Sequence, residues 1–492
     1  MPSEKLESLT GTLVLAILSS GVGSAFHHGY NLGVVNAPQK LLEDFINATY
    51  SERFGEPASQ STVTLIYSIF VSIFCVGGMV GGLMTAFVAE KLGRKKGLLV
   101  NNIFVFISAI LMGFAQKASC YEMLVIGRFV VGINGGLSAG LGPMYLTEIS
   151  PVAYRGAVGT IYQLVLTMSI LFSQVLGIPQ LLGTEHGWPV LFGVPLVPSV
   201  LMLITLPFCP ESPKYLLLVK GQQEEARRAL KRLRATKDIY YEMEVMKSEA
   251  ETSEIIPKIT LTEMIRNPAL RTPLGISVMV MLAQQLSGIN AAIFFSTDIF
   301  ETAGMTKDLA VWATLGMGAV NVVMTIVSMV VVERAGRRTL LLAGLAGMAV
   351  CTVTLTVTLA LTHHGQWISY LSVVGLIGFV VTFAIGPGSI PWFLVTELFG
   401  QSARSIATSI AVGVNWTANF IVGLAFLPLM VLVGEYTFVL FTVILLFFWL
   451  YIYKKLPETK NKTIEEISSM FKVRAYGDDE IAMTKLRSKS KT

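Results

Sequence analysis

Charge is scarce in this chain: Asp, Glu, Lys and Arg make up 14% of its 492 residues, while 53% are apolar and the mean hydropathy is +0.64. A water-soluble domain of this length needs a more polar surface, so that class is excluded. Cysteine is rare too, at Cys75, Cys120, Cys209 and Cys351 with no paired spacing, which speaks against both a disulfide framework and a metal site. No nucleophile with a base stands at apolar depth, so neither an enzyme nor a cofactor is expected. Carboxylates avoid the middles of the apolar runs. Glu90, Glu148, Glu333, Glu397 and Glu435 fall at run ends and Asp298 near one, leaving His27 and His28 as the embedded titratable groups. A proton-driven carrier normally keeps a titratable group at that depth, where its charge is costly and its pKa adjustable.

Long apolar runs are what the chain has in quantity. A run of about 20 residues spans the roughly 30 Å of bilayer hydrocarbon. Twelve such runs lie near 11–35, 62–89, 97–115, 122–147, 157–178, 188–208, 271–298, 308–332, 339–361, 367–396, 405–427 and 434–453. With both termini cytoplasmic, only Lys40, Arg53, Lys117 and Lys307 of the 37 Lys and Arg fall in exterior loops, a clear positive-inside signal. The net charge of +5 therefore flanks membrane helices and is no nucleic-acid signal. The first run carries His27, His28, Tyr30 and Asn31 without a small-residue cleavage site, so it reads as a retained helix. Asn47-Ala48-Thr49 is a glycosylation sequon on an exterior loop, and Asn461-Lys462-Thr463 should stay bare inside.

Short strings recur about half the chain apart. Gly93-Arg94-Lys95 returns as Gly336-Arg337-Arg338, Glu148 with Arg155 as Glu397 with Arg404, and Pro210-Glu211-Ser212-Pro213 more loosely as Pro457-Glu458-Thr459-Lys460. Two homologous halves are implied rather than a short-period solenoid. The organisation expected is an all-α membrane protein: a six-helix bundle at 1–208, a helical cytoplasmic linker at 209–268, a second bundle at 269–455 and a polar tail at 456–492. The tail from Asn461 onward is polar and ends in a basic cluster at Lys485, Arg487, Lys489 and Lys491, and disorder with weak attraction to anionic lipid is expected of it.

Helices that carry solutes tend to be interrupted near the midplane. Four runs qualify, through Gly29 to Gly33, Gly132 to Pro143, Gln284 to Asn290 and Gly386 to Trp392. These are the first and fourth of each half. In the fourth run glycines for close helix packing are the better reading; in the tenth, Pro387 and Pro391 disrupt the ladder and mark a hinge.

Polar side chains inside the runs are mainly amides: Asn31, Gln163, Gln174, Gln284, Gln285, Asn290, Asn321, Asn415 and Asn419, with Trp392 and Trp416 nearby. Amides both donate and accept, as sugar hydroxyls do, and an indole face stacks on the apolar face of a pyranose. A neutral polyhydroxyl solute is indicated, although any single amide serves equally as interhelical glue. Gln284 and Asn290 sit about 120° apart on a regular helix, so both face one ligand only if the helix unwinds near Gly288. At the cytoplasmic run ends, Arg94, Glu148, Arg155, Glu333, Arg337, Arg338, Glu397 and Arg404 form matching sets. They read as a latch holding the halves together inside, the alternative being simple topology signals.

Those motifs, with Gln284-Gln285-Leu286-Ser287-Gly288-Ile289-Asn290, Gly386-Pro387-Gly388 and Ile390-Pro391-Trp392, resemble the sugar-porter branch of the major facilitator superfamily. Gly29-Tyr30-Asn31, Val35 to Gln39 and Asn415-Trp416 make the likeness nearest to the animal facilitative glucose transporters. The resemblance implies the major facilitator fold, two pseudo-symmetric bundles with sugar held chiefly by the second. It implies sugar contacts from Gln163, Gln284, Gln285, Asn290, Asn321, Trp392 and Asn415. It also implies uniport, since proton-coupled relatives carry an aspartate where this chain has Asn31. Departures at Met281-Leu282-Ala283, Ala384, His28 and Lys214 bear on which hexose is carried. The expected function is facilitative transport of a hexose, glucose before others, across the plasma membrane; the rivals are a proton-coupled symporter and, more remotely, a sugar sensor. Oligomeric state is not legible.

Overall fold

The computed structural model describes residues 10–151, 155–234, 239–255, 259–462 and 466–477. Among them, nine helical stretches are long and apolar enough to cross a membrane. One, Ser402–Lys455, is two helices divided by a short turn at Gly434–Tyr436. Gly11–Gly33, diluted by its histidines and asparagine, and Arg155–Leu176 complete twelve. In chain order the remaining spans are Gln60–Lys91, Arg94–Phe114, Tyr121–Ile149, Trp188–Phe208, Pro268–Thr302, Lys307–Ala335, Arg337–Ala360, Gln366–Leu398, Gln401–Val433 and Thr437–Lys455. One end of the bundle carries Asn47; the other carries Arg94 and Arg337.

Across the middle, the second span packs on the eleventh and the fifth on the eighth. Adding six to each number exchanges the two pairs, as a two-fold relation between the halves requires. Gly78 lies under the ring of Trp416, and Gly318 under Leu171 and Gln174.

Within the first half the fourth span is continuous despite Pro143, and its glycines are a packing face. A Cβ on Gly132 would lie 2.2 Å from the carbonyl oxygen of Phe74, and one on Gly136 2.1 Å from that of Gly78. The expected break in the first span is absent. Gly11–Gly33 is one helix, and a Cβ at Gly29 would stand 2.0 Å from the carbonyl of Leu166. Its glycines let the fifth span approach; they do not interrupt the ladder.

The seventh and tenth spans are broken. Gly288, at φ +93°, separates Pro268–Leu286 from Ile289–Thr302, a conformation glycine adopts without penalty. Phe295 adds a second kink (φ −131°, ψ 16°). In the tenth span, Gln366–Ile385 ends at Gly386 and the helix resumes at Ile390–Leu398.

The linker helix Gln223–Arg234 buries Ala226, Ala229, Leu230 and Leu233, all four at the spacing of one helical face. It is tied to the first half, with Arg234 donating to the carbonyl of Ile149 (2.8 Å) and Thr10 to that of Leu233 (2.8 Å). Ile259 reaches the second half through the carbonyl of Ser402 (3.3 Å). The tail is more ordered than its polarity suggests. Residues 466–477 are helical, Ile467 and Phe471 fall one turn apart and are buried in the main hydrophobic core, and the Tyr476 hydroxyl donates to Asn267 Oδ1 (2.9 Å). The basic cluster from Lys485 to Lys491 lies outside the described residues.

Since the carbonyl of Gly78 is backbone and cannot swing aside, Gly136→Ala should destabilise by about 1–3 kcal/mol or more, seen as a lowered melting midpoint and aggregation on size-exclusion chromatography. Gly113→Ala, whose added carbon meets nothing closer than 3.8 Å, should behave as wild type.

Candidate functional site

Breaking a helix inside a membrane frees carbonyls that must find donors. Gln284, in the last turn before the seventh-span break, supplies them: its Nε2 donates to the carbonyls of Pro387 and Gly388, both at 2.8 Å. One amide thus spans both interruptions. Its Oε1 accepts from Asn415 Nδ2 (2.6 Å), and Asn415 Oδ1 accepts from Gln285 Nε2 (3.1 Å). Asn290, just past the break, donates to Gln285 Oε1. The unwinding at Gly288 therefore does what the 120° argument requires, bringing Asn290 round to the glutamine face. All four amides are buried, at 3–8% exposure.

The remaining expected contacts stand apart from this network. Asn321, half-buried on the eighth span, lines a small cavity against Gln174, Ile289 and Phe383. Gln163 is exposed, and Trp392, on the resumed tenth helix, is 41% exposed. Trp416 is buried, 5.7 Å from the His28 ring. Asn31 turns back on its own helix, donating to the carbonyl of His27 (2.8 Å). Asn101 and Asn134 are glue: each donates to the other's backbone carbonyl, at 3.1 and 3.0 Å.

Outside the amide network, the Asn47 end is held shut. Asn36 Nδ2 donates to the carbonyl of Ile293 (2.8 Å) and to Ser296 Oγ (2.6 Å), and its Oδ1 accepts from the Thr297 amide (3.2 Å). Lys40 pairs with Glu301, which holds the ammonium above the usual lysine range. Both join the first half to the second segment of the seventh span. Sequence reading noticed Asn36 only as part of a motif; its role appears once the seventh span is kinked at Phe295. Asn47 is half-buried, and its Oδ1 accepts from the Ala58 amide (3.0 Å).

At the opposite end the repeated strings build the same object twice. Gly93 (φ +93°) and Gly336 (φ +89°) open the third and ninth spans with no side-chain cap. Glu211 accepts from the amides of Lys95 (2.9 Å) and Lys96 (3.4 Å); Glu458 accepts from those of Arg337 (2.9 Å) and Arg338 (3.1 Å). A carboxylate over the first amides suits the positive end of a helix. Arg94 grips Glu148 with two nitrogens (2.8 and 2.9 Å), and Arg337 meets Glu397 at 3.0 Å. Ser212 and Thr459 complete the sets by donating to those glutamates. Arg404 instead donates to the carbonyl of Phe399. Arg338 donates to the carbonyl of Tyr453 (2.8 Å). The side chains of Arg155 and Glu333 lie outside the described residues. Both arginine pairs stay within a half.

Residues 16–471 match the family described as sugar (and other) transporter. The chain belongs to that family. Among its relatives, facilitated glucose transporter member 1 of solute carrier family 2 from Gallus gallus is 45% identical over 469 residues, covering 95% of each chain. Facilitated glucose transporter protein 1 of Caenorhabditis elegans is 47% identical over 455 residues, 92% of this chain and 89% of its own. Human member 4 is 45% identical over 469 residues, 94% and 92%. The fold is that of the Escherichia coli xylose transporter XylE in a partially occluded inward-open conformation, at TM-score 0.77 and 23% identity, covering 92% of this chain and all of that one. The major facilitator fold that the resemblance implied is thereby shown, and the family match with these relatives shows a transporter.

In this sugar-transporter fold, removing the Asn36 side chain strands a buried carbonyl and amide, a loss of about 1–3 kcal/mol. Asn36→Ala should shift the population toward an open Asn47 end by roughly tenfold. Distances between spin labels at the exposed positions Glu52 and Asp308, in a background without the free cysteines, should lengthen.

Proposed function

We propose that the chain is a uniporter that equilibrates a hexose, glucose before others, across the plasma membrane by alternating access between its halves. The observation that carries this reading is the buried network of four neutral amides joining the two broken spans. Neutral groups that both donate and accept suit hydroxyls and have no charge to drive. Gln284, Gln285, Asn290 and Asn415 bind the sugar by exchanging bonds with one another for bonds to its hydroxyls. Asn321, Gln163 and Trp392 close on it from the sides, the indole stacking on the ring.

Asn31 supports uniport over symport: it is an amide, spends its donor on its own helix, and has no proton to cycle. The relatives are named as facilitated glucose transporters, in the same sense. Both termini are cytoplasmic, the Asn47 end faces outward, and Asn47 is glycosylated. Arg94, Glu148, Arg155, Glu333, Arg337, Arg338, Glu397 and Arg404 form the cytoplasmic gate. With the outer end shut, each described arginine pair is closed within its own half, and the inward-shut state brings the two hubs together. The linker and the 466–477 helix brace the hubs from below. Sugar biases the equilibrium only as far as the two states bind it differently.

In proteoliposomes, labelled glucose should equilibrate with the external level and go no higher under an imposed proton gradient; accumulation above that level contradicts uniport. Asn290→Ala should weaken glucose affinity about tenfold in equilibrium exchange, and unchanged flux would remove Asn290 from the site.

A further inference from the structure

The amide left without work is Gln174. It is 1% exposed, on the fifth span, and neither its Oε1 nor its Nε2 has a hydrogen-bond partner. Other buried amides with an idle atom, Gln39, Asn101, Asn102, Asn134 and Asn419, are idle at the oxygen alone. Among the described residues Gln174 is the amide with both ends bare. A buried polar group without partners is a standing loss, and a leucine or methionine would fill the space without it. The amide is therefore explained by a partner that comes and goes.

Its position says what that partner is. Gln174 borders a cavity of about 20 Å³, shared with Ile170 of its own span, Ile289, Gly318, Asn321 and Phe383 of the other half. That is room for a single water or one hydroxyl. The approach to the eighth span depends on Gly318, where a Cβ would stand 2.6 Å from Gln174 Oε1. Along the fifth span Gln174 follows Gln163 by three turns, so the two lie within about 20° of one face and roughly 16 Å apart. Gln163 is toward the arginine end and Gln174 toward the Asn47 end.

We propose that Gln174 is a further specificity-determining residue of the first half, presenting its amide to one hexose hydroxyl as sugar passes between the Asn47 end and the amide network. When that end is shut, the halves close over Gln174 and only a water fits beside it. When it opens, Gln174 and Asn321 face the arriving sugar from opposite halves. This rests on the hexose reading above, and wild-type protein that moves no hexose would defeat that reading before Gln174 is tested.

The test is competition of glucose and a set of monodeoxyglucoses against labelled glucose influx in proteoliposomes, for wild type and Gln174→Leu. The expected result is a three- to tenfold weaker half-saturation for glucose in the variant, with one deoxy sugar unaffected because it lacks the hydroxyl that Gln174 meets. Equal weakening of every sugar, or no weakening with a raised melting midpoint, would overturn the proposal and leave Gln174 a packing residue. Gln174→Met, unbranched and of similar length, repeats the measurement if the leucine variant does not reach the bilayer. Failure of both to fold would assign the amide to structure and overturn the proposal as well.

Discussion

Two carbonyls freed at Pro387 and Gly388 have to be satisfied inside a bilayer, and the donor is Gln284. The transport proposed above depends on that arrangement. Without the donor the tenth-span break would leave bare backbone in hydrocarbon; without the break the tenth span would be one rigid rod. By placing the donor on the last turn before the Gly288 break, the fold couples its two helix breaks through a single side chain. The same side chain's oxygen belongs to the amide network, so a solute that rearranges the network is felt at both breaks.

Around this asymmetric centre the frame is symmetric. The two carboxylate-capped, arginine-gripped hubs match residue type for residue type, Glu211 and Arg94 with Glu458 and Arg337, although Glu458 caps amides one position earlier than Glu211 does. They tie each half together at the arginine end. At the other end the closure is one-sided, since Asn36 grips the kinked second segment of the seventh span. In the alternating access proposed above, a frame with hydrogen-bonded hubs at one end and a clasp on a broken helix at the other moves as two bodies about the amide network.

Much of this was legible in the residues. Twelve apolar runs and recurring strings carried the membrane class and the two halves, and the motifs carried the fold through their resemblance, because hydrocarbon leaves few alternatives for backbone and charge. The glycine signal was ambiguous for a physical reason. At Gly288 the residue serves a positive φ, while at Gly29, Gly132 and Gly136 it serves close approach of a neighbouring backbone, and sequence composition does not separate those uses. The first span was read as broken on that account. The latch was read as joining the halves because Arg and Glu recur in both; which glutamate each arginine takes depends on tertiary distance, and in this state each keeps to its own half. The helix at 466–477 was hidden by its polar neighbours, with only Ile467 and Phe471 to mark a buried face.

The central claim is that the second half's amide network trades its internal hydrogen bonds for bonds to sugar hydroxyls. A structure of the protein in a lipid nanodisc with bound glucose tests this directly. The account predicts the ring between the seventh- and tenth-span breaks, with Gln284, Gln285, Asn290 and Asn415 side chains within hydrogen-bond distance of its hydroxyls and the Asn290–Gln285 bond broken. Glucose held elsewhere, with the four amides still bonded to one another, would contradict it.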